Sequence, residues 1–346
     1  MKNITELIGH DGVTTLTRDT FTLGTQTWSI RQVTHNDVEV VPVAAKPGIV
    51  PFWRAEDLDR GWHFSERILL FLEAIQARLA DPSLRYELGR DYFLDETAAD
   101  ELIGHLRRQR EATGVELPHR HHLLIEHCRD LLNAADRRQV ILHTLWGGRI
   151  NRPLALALQA AWEEKYSDHL EIVENNDCLL LLPSREFAGA DFFRLVTPEN
   201  IERLLRRRVL ETKGFFGARF RENAGRAMLL PRADFKRRLP LWLNRLRSKK
   251  LLEAVLPYPD FPILLETWRT CLQDEFDLDH LRELLEEIRS GQIKITEAIT
   301  ATPSPFAAGL IWKQTNTNMY EDEPAPPDPG LPDRARGTGG AGCPLE

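Results

Sequence analysis

Between Arg203 and Lys250 the sequence carries sixteen lysines or arginines against three acids, Glu211, Glu222 and Asp234. This stretch has a local balance of +13 in a chain whose net charge is −7, so the remainder carries −20. Segregating charge in this way costs self-repulsion that a polyanion relieves, which marks the stretch as a candidate grip on a nucleic-acid backbone. Arg206, Arg207, Arg219, Arg221, Arg226, Arg245 and Lys249 are its candidate phosphate contacts. Solvated helix faces are the bland alternative, and they ordinarily bring Glu at i±4. Acids are sparse here, so the phosphate grip ranks first. Apolar residues run throughout, so a folded surface is expected rather than a loose basic tail.

Two further constellations could carry chemistry. In Gly147-Gly148-Arg149-Ile150-Asn151-Arg152, backbone amides of a glycine turn leading into a helix could hold a phosphate, with Arg149 and Arg152 beside it. A plain strand-to-helix turn with solvated arginines competes with that. His119, His121, His122 and His127 with Cys128 invite a metal, because i and i+2 residues on a strand share a face. A closed zinc site needs four ligands, and no acidic or cysteine partner lies at a recognised spacing. A polar strand edge without metal is therefore expected.

No G-x-x-x-x-G-K-[ST] run occurs, nor a Gly-Lys pair, so the phosphate cradle of an ATPase is missing. G-x-S-x-G, H-E-x-x-H and the kinase motifs are also lacking. No autonomous catalysis is expected.

The elements that must position these residues follow from periodicity. Alternation from Thr20 to Ala44, with turn signals at Gly24 and His35-Asn36-Asp37, predicts a small antiparallel β unit containing Trp28. Trp53 follows two prolines in KPGIVPFW, exposed on an extended segment or capping the strands' apolar face. A helix from Ser65 carries the stripe Ile68, Leu72, Ile75 and Leu79 and stops at Asp81-Pro82. A second runs from Asp95 to Gly114, where Arg107, Arg108 and Arg110 offset the helix dipole. LPHRHHLLIEHC and RRQVILHTLW read as strands, and a helix runs from Asn151 through Trp162. LEIVE and CLLLLP form a hairpin across Asn175-Asn176-Asp177, giving an α+β layer with the helix on one sheet face. Beyond Thr197 the pattern is helical: Ile201, Leu204, Leu205 and Val209 form one stripe, and Phe216, Phe220, Ala224 and Met228 another. Helices from Pro240, over 261–275 and over 278–290 follow, then a strand in QIKITEAI. The expected organisation is a β-rich entry over 1–60, an α+β core over 61–195, a basic helical subdomain over 196–320 and a disordered tail over 321–346.

At 346 residues, 42% hydrophobic and 28% charged, the chain reads as globular, without a run long enough to span a membrane. MKNITELIGHDG lacks a positive flank followed by an apolar core, so no signal peptide is expected. Four cysteines lie far apart with no CxxC, which fits a reducing cytoplasm.

HHLLIEHC, VILHTLWGGRINRPLALAL, FFGARFRENAGRAMLLPR, LPLWLNRLRSKKLLEAV, YPDFPILLETWRTCLQDEFDL and TPSPFAAGLIW resemble, in this order, one region of the Lhr-type (large helicase-related) superfamily 2 helicases. That region is the DEAD/H-associated domain, which follows the motor domains. FTLGTQTWSI and PGIVPFW resemble its β-rich entry, so the likeness covers roughly Phe21 to Tyr320. The resemblance implies two RecA-like lobes and a winged helix preceding this region, neither of which is in this sequence. It implies that ATP and Mg2+ belong to those lobes, with no cofactor held by this chain. It further implies a part in DNA repair and contact with a single strand of DNA, or an RNA–DNA hybrid, tracked 3′ to 5′. In the family a tryptophan stacks on a base; Trp53 is the first candidate for that role and Trp28 the second. A split-gene product, a subunit or a fragment would each give such a chain. The expected function is thus a nucleic-acid-binding accessory region of an Lhr-like helicase. A subunit docking a separately encoded motor through its basic face is the alternative, and an enzyme using the histidine strand with a metal the third.

Overall fold

The structure, a computed structural model, describes residues 20–23, 26–33, 38–43, 58–129, 138–185, 187–211, 214–230 and 241–321. Trp53, residues 231–240 and the tail expected beyond 321 lie outside them. The class is α+β, as the sequence predicts.

Strands β1 (Thr20–Leu23), β2 (Gln26–Val33) and β3 (Val38–Val43) form an antiparallel sheet in that order. Trp28, half-buried, stands opposite Phe21 on one neighbour and Pro42 on the other.

Three helices follow: α1 (Trp62–Gln76), α2 (Ser83–Tyr92) and α3 (Glu96–Thr113). α1 begins three residues before the expected Ser65, because Trp62 already belongs to the buried stripe with Ser65, Leu69, Leu72 and Ile75. Asp81-Pro82 interrupts the chain only briefly. The sequence pattern misses α2, which buries just Leu84 and Leu88, two apolar points too sparse to define a period. α3 has the expected ends: Asp95 Oδ1 accepts from the Ala98 amide at 2.7 Å, and Gly114 closes it at φ 70°. Arg107 and Arg110 donate to the carbonyls of Leu79 (3.0 Å) and Gln76 (3.3 Å), so their charge serves the end of α1 rather than that of α3.

The central sheet has the order β6-β7-β5-β4-β8: β4 (His122–Arg129), β5 (Arg138–His143), β6 (Glu171–Glu174), β7 (Cys178–Leu182) and β8 (Lys294–Ile299). All pairs are antiparallel except β4 with β8. Asn175 makes the β6–β7 turn, its side-chain oxygen accepting from the amides of Asp177 (2.9 Å) and Cys178 (2.7 Å). All five residues of β7 are buried, the mark of a strand covered on both faces. Leu179 and Leu181 face the main core, where α4 (Gly148–Tyr166) packs Leu154, Leu158 and the fully buried Trp162. Cys178 and Leu180 face the other way, onto Ala307 and Leu310 at the start of α11 (Ala308–Glu321). The sequence predicts a helix on one face only; TPSPFAAGLIW supplies the second cover.

Between β7 and β8 lie the short α5 (Phe192–Leu195), then α6 (Ile201–Glu211), α7 (Phe215–Arg226), α8 (Leu241–Val255), α9 (Pro262–Arg269), which runs on into a π-helical turn over Thr270–Glu275, and α10 (Leu278–Ser290). α6 buries the expected Ile201, Leu204, Leu205 and Val209, in the same core as the sheet. α7 buries Phe216, Phe220 and Ala224, but its stripe does not reach Met228. That residue follows the helix at φ 57° and is 79% exposed.

On the α11 face, one carboxylate ties three segments together. Glu126 on β4 is fully buried and accepts from Thr300 Oγ1 (2.6 Å), Ser304 Oγ (2.6 Å), the Ser304 amide (2.9 Å) and His143 Nε2 on β5 (2.8 Å). Gln109 of α3 joins by donating to Ser304 Oγ at 3.0 Å and accepting from the Phe306 amide at 2.8 Å. Burial pushes the Glu126 carboxyl up, but the bonds from His143, Ser304 and Thr300 outweigh it and hold the group below the usual carboxylate range.

Replacing Glu126 by Ala strands His143 and the Ser304 amide without their acceptor and should cost about 3–5 kcal/mol, read as a lower urea midpoint at neutral pH. A folded pKa below the unfolded one stabilises fully above the unfolded value, and that stability is lost as pH falls through the folded one. Between about pH 7 and pH 3 the wild type should therefore lose stability more steeply than Glu126→Gln, which cannot titrate. Parallel curves would show that this carboxylate is not the acid-sensitive group.

Candidate nucleic-acid interface

The basic stretch is far better neutralised in space than along the sequence. On α6, Arg203 meets Glu164 at 3.0 Å, Arg206 meets Glu202 at 2.9 Å, Arg207 meets Glu211 at 3.3 Å and Arg208 meets Glu163 at 3.1 Å. Arg206 also lies over the Trp268 ring, 5.0 Å from its centroid. On α7, Arg219 reaches Glu222 and Glu275, each at 3.0 Å, while Arg226 reaches Glu222 at 2.5 Å. On α8, Lys249 lies 4.0 Å from Glu253. The expectation of an uncompensated wall fails for two physical reasons. Glu211 and Glu222 each serve two arginines, and the remaining acids come from α4, from α8 beyond Lys250, from the π-helical turn and from Glu202, all outside the counted stretch.

What remains is narrower. Among the described residues, Arg221 of α7 and Arg245, Arg247 and Lys250 of α8 have no carboxylate partner. α7 and α8 pack through Phe220, Ala224 and Val255 with Leu230 beside them, and Arg221 of α7 and Arg245 of α8 lie near enough for their charges to act on each other. Burial lowers the affinity of the Arg221 guanidinium for its proton, and the charge of Arg245 lowers it further. Two cations that repel each other without an acid nearby favour an anion between them. Arg245, Arg247 and Lys250 are exposed, so such an anion could come from solvent.

The glycine turn is occupied by the protein's own groups. Gly147 takes φ 89°, and a Cβ there would run into the Arg60 carbonyl; a Cβ on Gly148 would meet the Asp59 carboxylate. The Gly148 amide donates to Asn176 Oδ1 at 2.7 Å. An acid and an amide oxygen thus already sit at the N-terminus of α4, and a phosphate would have to displace them. Arg152 pairs with Asp59 at 3.3 Å, and Arg149 donates to the carbonyls of Gln273 and Asp274. The cavity beside Arg152 has a volume of about 140 Å³ and an apolar lining that includes Leu156, Ile172, Phe215 and Phe276. It falls short of the roughly 300 Å³ at which ligand sites begin. Asp59 is not legible in the sequence, since nothing around it points to a turn 88 residues on.

The histidines divide among several carboxylates. His127 pairs with Glu297 at 2.9 Å, and His122 bonds the Leu117 carbonyl and Thr296 Oγ1, each at 2.9 Å. His119 and His121 share Glu73 of α1, an acid 48 residues before His121 that no local spacing reveals. The sequence reading also missed His143, which lies between Glu126 and Cys178, its Nδ1 3.4 Å from the sulfur. A thiol, an imidazole and a carboxylate in this order resemble a nucleophile with its base and orienting group. All three are fully buried or nearly so, and burial pushes the Cys178 thiol far up, so this chain is a structural clasp and not a nucleophile.

No helix among the described residues is long and apolar enough to cross a membrane. Of the two candidate stacking residues, Trp28 is half-buried within its sheet and Trp53 lies outside the described residues.

Comparison with known proteins agrees with this architecture. The profile of the family described as DEAD/H associated matches residues 117–307. The Lhr helicase/uracil glycosylase of Escherichia coli (strain K12) is 35% identical over 308 residues, covering 88% of this chain and 19% of that protein. The Lhr helicase/probable uracil glycosylase of Mycolicibacterium smegmatis is 37% identical, with 88% and 20% covered. ATP-dependent helicase Lhr-Core of Methanothermobacter thermautotrophicus is 27% identical, with 88% and 35% covered. The solved structure of Mycobacterium smegmatis helicase Lhr bound to ssDNA and AMP-PNP matches with a TM-score of 0.63 and 36% identity, over 77% of this chain and 33% of that one. The chain thus spans between about a fifth and a third of the length of these relatives. With more than half of its residues under the family profile and Lhr helicases aligned along most of its length, the chain belongs to the DEAD/H-associated family found in Lhr helicases.

Proposed function

We propose that this chain is the nucleic-acid-binding accessory region of an Lhr-like, ATP-dependent 3′–5′ DNA repair helicase of the cytoplasm. It grips the tracked single strand and leaves ATP and Mg2+ to motor lobes outside this sequence. The observation that carries the proposal is the pair Arg221 and Arg245, on α7 and α8 and without a carboxylate partner, in a family with a solved member bound to ssDNA. Phosphates would fall on this pair first. Arg206, Arg207, Arg219, Arg226 and Lys249 would join only by exchanging a carboxylate for a phosphate, a small loss where pairs are exposed. Arg149 and Arg152, held by backbone carbonyls and Asp59, rank last. Trp53, with Trp28 second, would supply base stacking, which tolerates any sequence because every base has a π-face.

Single-strand affinity measured by fluorescence anisotropy across a salt series tests the grip. Each phosphate neutralised contributes about −0.7 to the log–log slope on single strands, so Arg221→Ala/Arg245→Ala should make the slope shallower by about 1.4. Arg206→Ala/Arg207→Ala should change it less. A slope equal to wild type in the first variant, or a flat dependence in wild type, would remove the pair and favour docking to a motor subunit through the same basic face. Trp53→Ala should weaken binding by about 1–3 kcal/mol without changing the slope. Repeating the series on an RNA–DNA hybrid decides which partner is preferred.

A further inference from the structure

The residues that open β4 make a tight reversal where an extended strand edge is expected. The His119 amide donates to the His122 carbonyl at 2.9 Å and the His122 amide to the His119 carbonyl at 3.0 Å, so Arg120 and His121 form a two-residue loop. Arg120 fixes that loop from below. Its guanidinium bonds both oxygens of Glu287, at 2.6 and 2.8 Å, and Glu66 at 3.2 Å, and lies 5.4 Å from the centroid of the Trp62 ring. A bidentate pair of this kind sets an orientation as well as a distance. With the loop held, the side chains of His119 and His121 converge on Glu73, in the last turn of α1. Glu73 Oε1 is 2.9 Å from His121 Nδ1 and 3.5 Å from His119 Nδ1.

We propose that Glu73, His119 and His121 form a binding site for a divalent transition metal of the zinc class, open to solvent at the fourth position. Two imidazole nitrogens and one carboxylate oxygen are the donors such ions take, and their ligating atoms all lie within 4.8 Å of one another. Bonds of about 2.0–2.1 Å set tetrahedral donors about 3.3 Å apart, so only small rotations of these side chains are needed. His121 is 54% and Glu73 33% exposed, which leaves both free to turn and gives the ion a way in. His119 Nδ1 accepts only a long bond, 3.3 Å, from the His121 amide, a weak contact that a metal bond would replace. Its other nitrogen lies 4.0 Å from Glu116, a carboxylate placed to orient the ring once Nδ1 is bound. His122 is not a ligand, because it is buried and both its nitrogens are engaged. A bound ion would join the end of α1 to the loop that opens β4. It would act as a clasp in the fold, separate from the basic pair of α7 and α8.

Untagged protein stripped with a chelator and titrated with Co2+, followed by visible absorption, tests the site, with Zn2+ displacing the signal. One ion per chain is expected. His121→Ala and Glu73→Gln should each weaken binding by about tenfold or more, the scale of losing even an outer-sphere partner. His127→Ala, which removes the pair with Glu297 and none of the three proposed ligands, should bind as wild type does. Zinc should also raise the thermal midpoint of wild type and not that of His121→Ala. His121 is exposed, so its variant should fold without metal; if Glu73→Gln melts early, His121→Ala decides alone. Binding below one ion per chain overturns the proposal, as does binding that survives both substitutions. Loss of binding in His122→Ala with retention in His121→Ala overturns it in favour of the set containing Glu116.

Discussion

A buried carboxylate must find partners or give up its charge, and Glu126 finds four. They come from β5 and from the segment after β8, while Gln109 of α3 holds that segment from its far side. Apolar packing alone would let the chain after Ile299 slide along the α11 face of the sheet. The directional bonds of Ser304 fix one register, which places Ala307 and Leu310 over Cys178 and Leu180. Polar specificity and apolar cover thus depend on each other here, and the second face of the sheet is closed because a charge lies under it.

Electrostatics sets the other constraint. The run from Arg203 to Lys250 looks unopposed only while acids are counted along the chain. Folding brings Glu163 and Glu164 of α4 and Glu275 of the π-helical turn against arginines of α6 and α7. The exposed pair of Arg203 with Glu164 adds little stability, and those of Arg208 and Arg219 are half-buried, but all of them change which cations are free to act. Among the described residues of this run, those still without an acid lie on α7 and α8, so the fold narrows a diffuse sequence signal to two helices.

How much of this was legible follows from the range of each signal. Local chemistry read well: the Asn175 turn, the Asp95 and Gly114 ends of α3, and the stripe of α6 all lie within a few residues of their cause. Sparse patterns failed, as at α2 with two buried leucines, and so did extrapolated ones, as at Met228. The sequence near His119–His122 predicts strand because alternation and a two-residue reversal look alike until Arg120 finds Glu287, 167 residues away. Asp59 at the glycine turn and Glu73 beside His121 are likewise partners only in three dimensions. The family likeness reached further than residue physics because it carries such distant pairings implicitly.

The parallel pairing of β4 with β8 joins residues about 170 positions apart, Glu126 facing Ala298 and His127 facing Ile299. Bringing such distant segments together costs loop entropy before any contact rewards it, and contacts of this kind fold slowly. On the ribosome, β4 and β5 emerge long before their last neighbour does. Until Ser304 has left the exit tunnel, the central sheet has an open edge and Glu126 has only His143 for a partner, so native closure waits on the segment after β8.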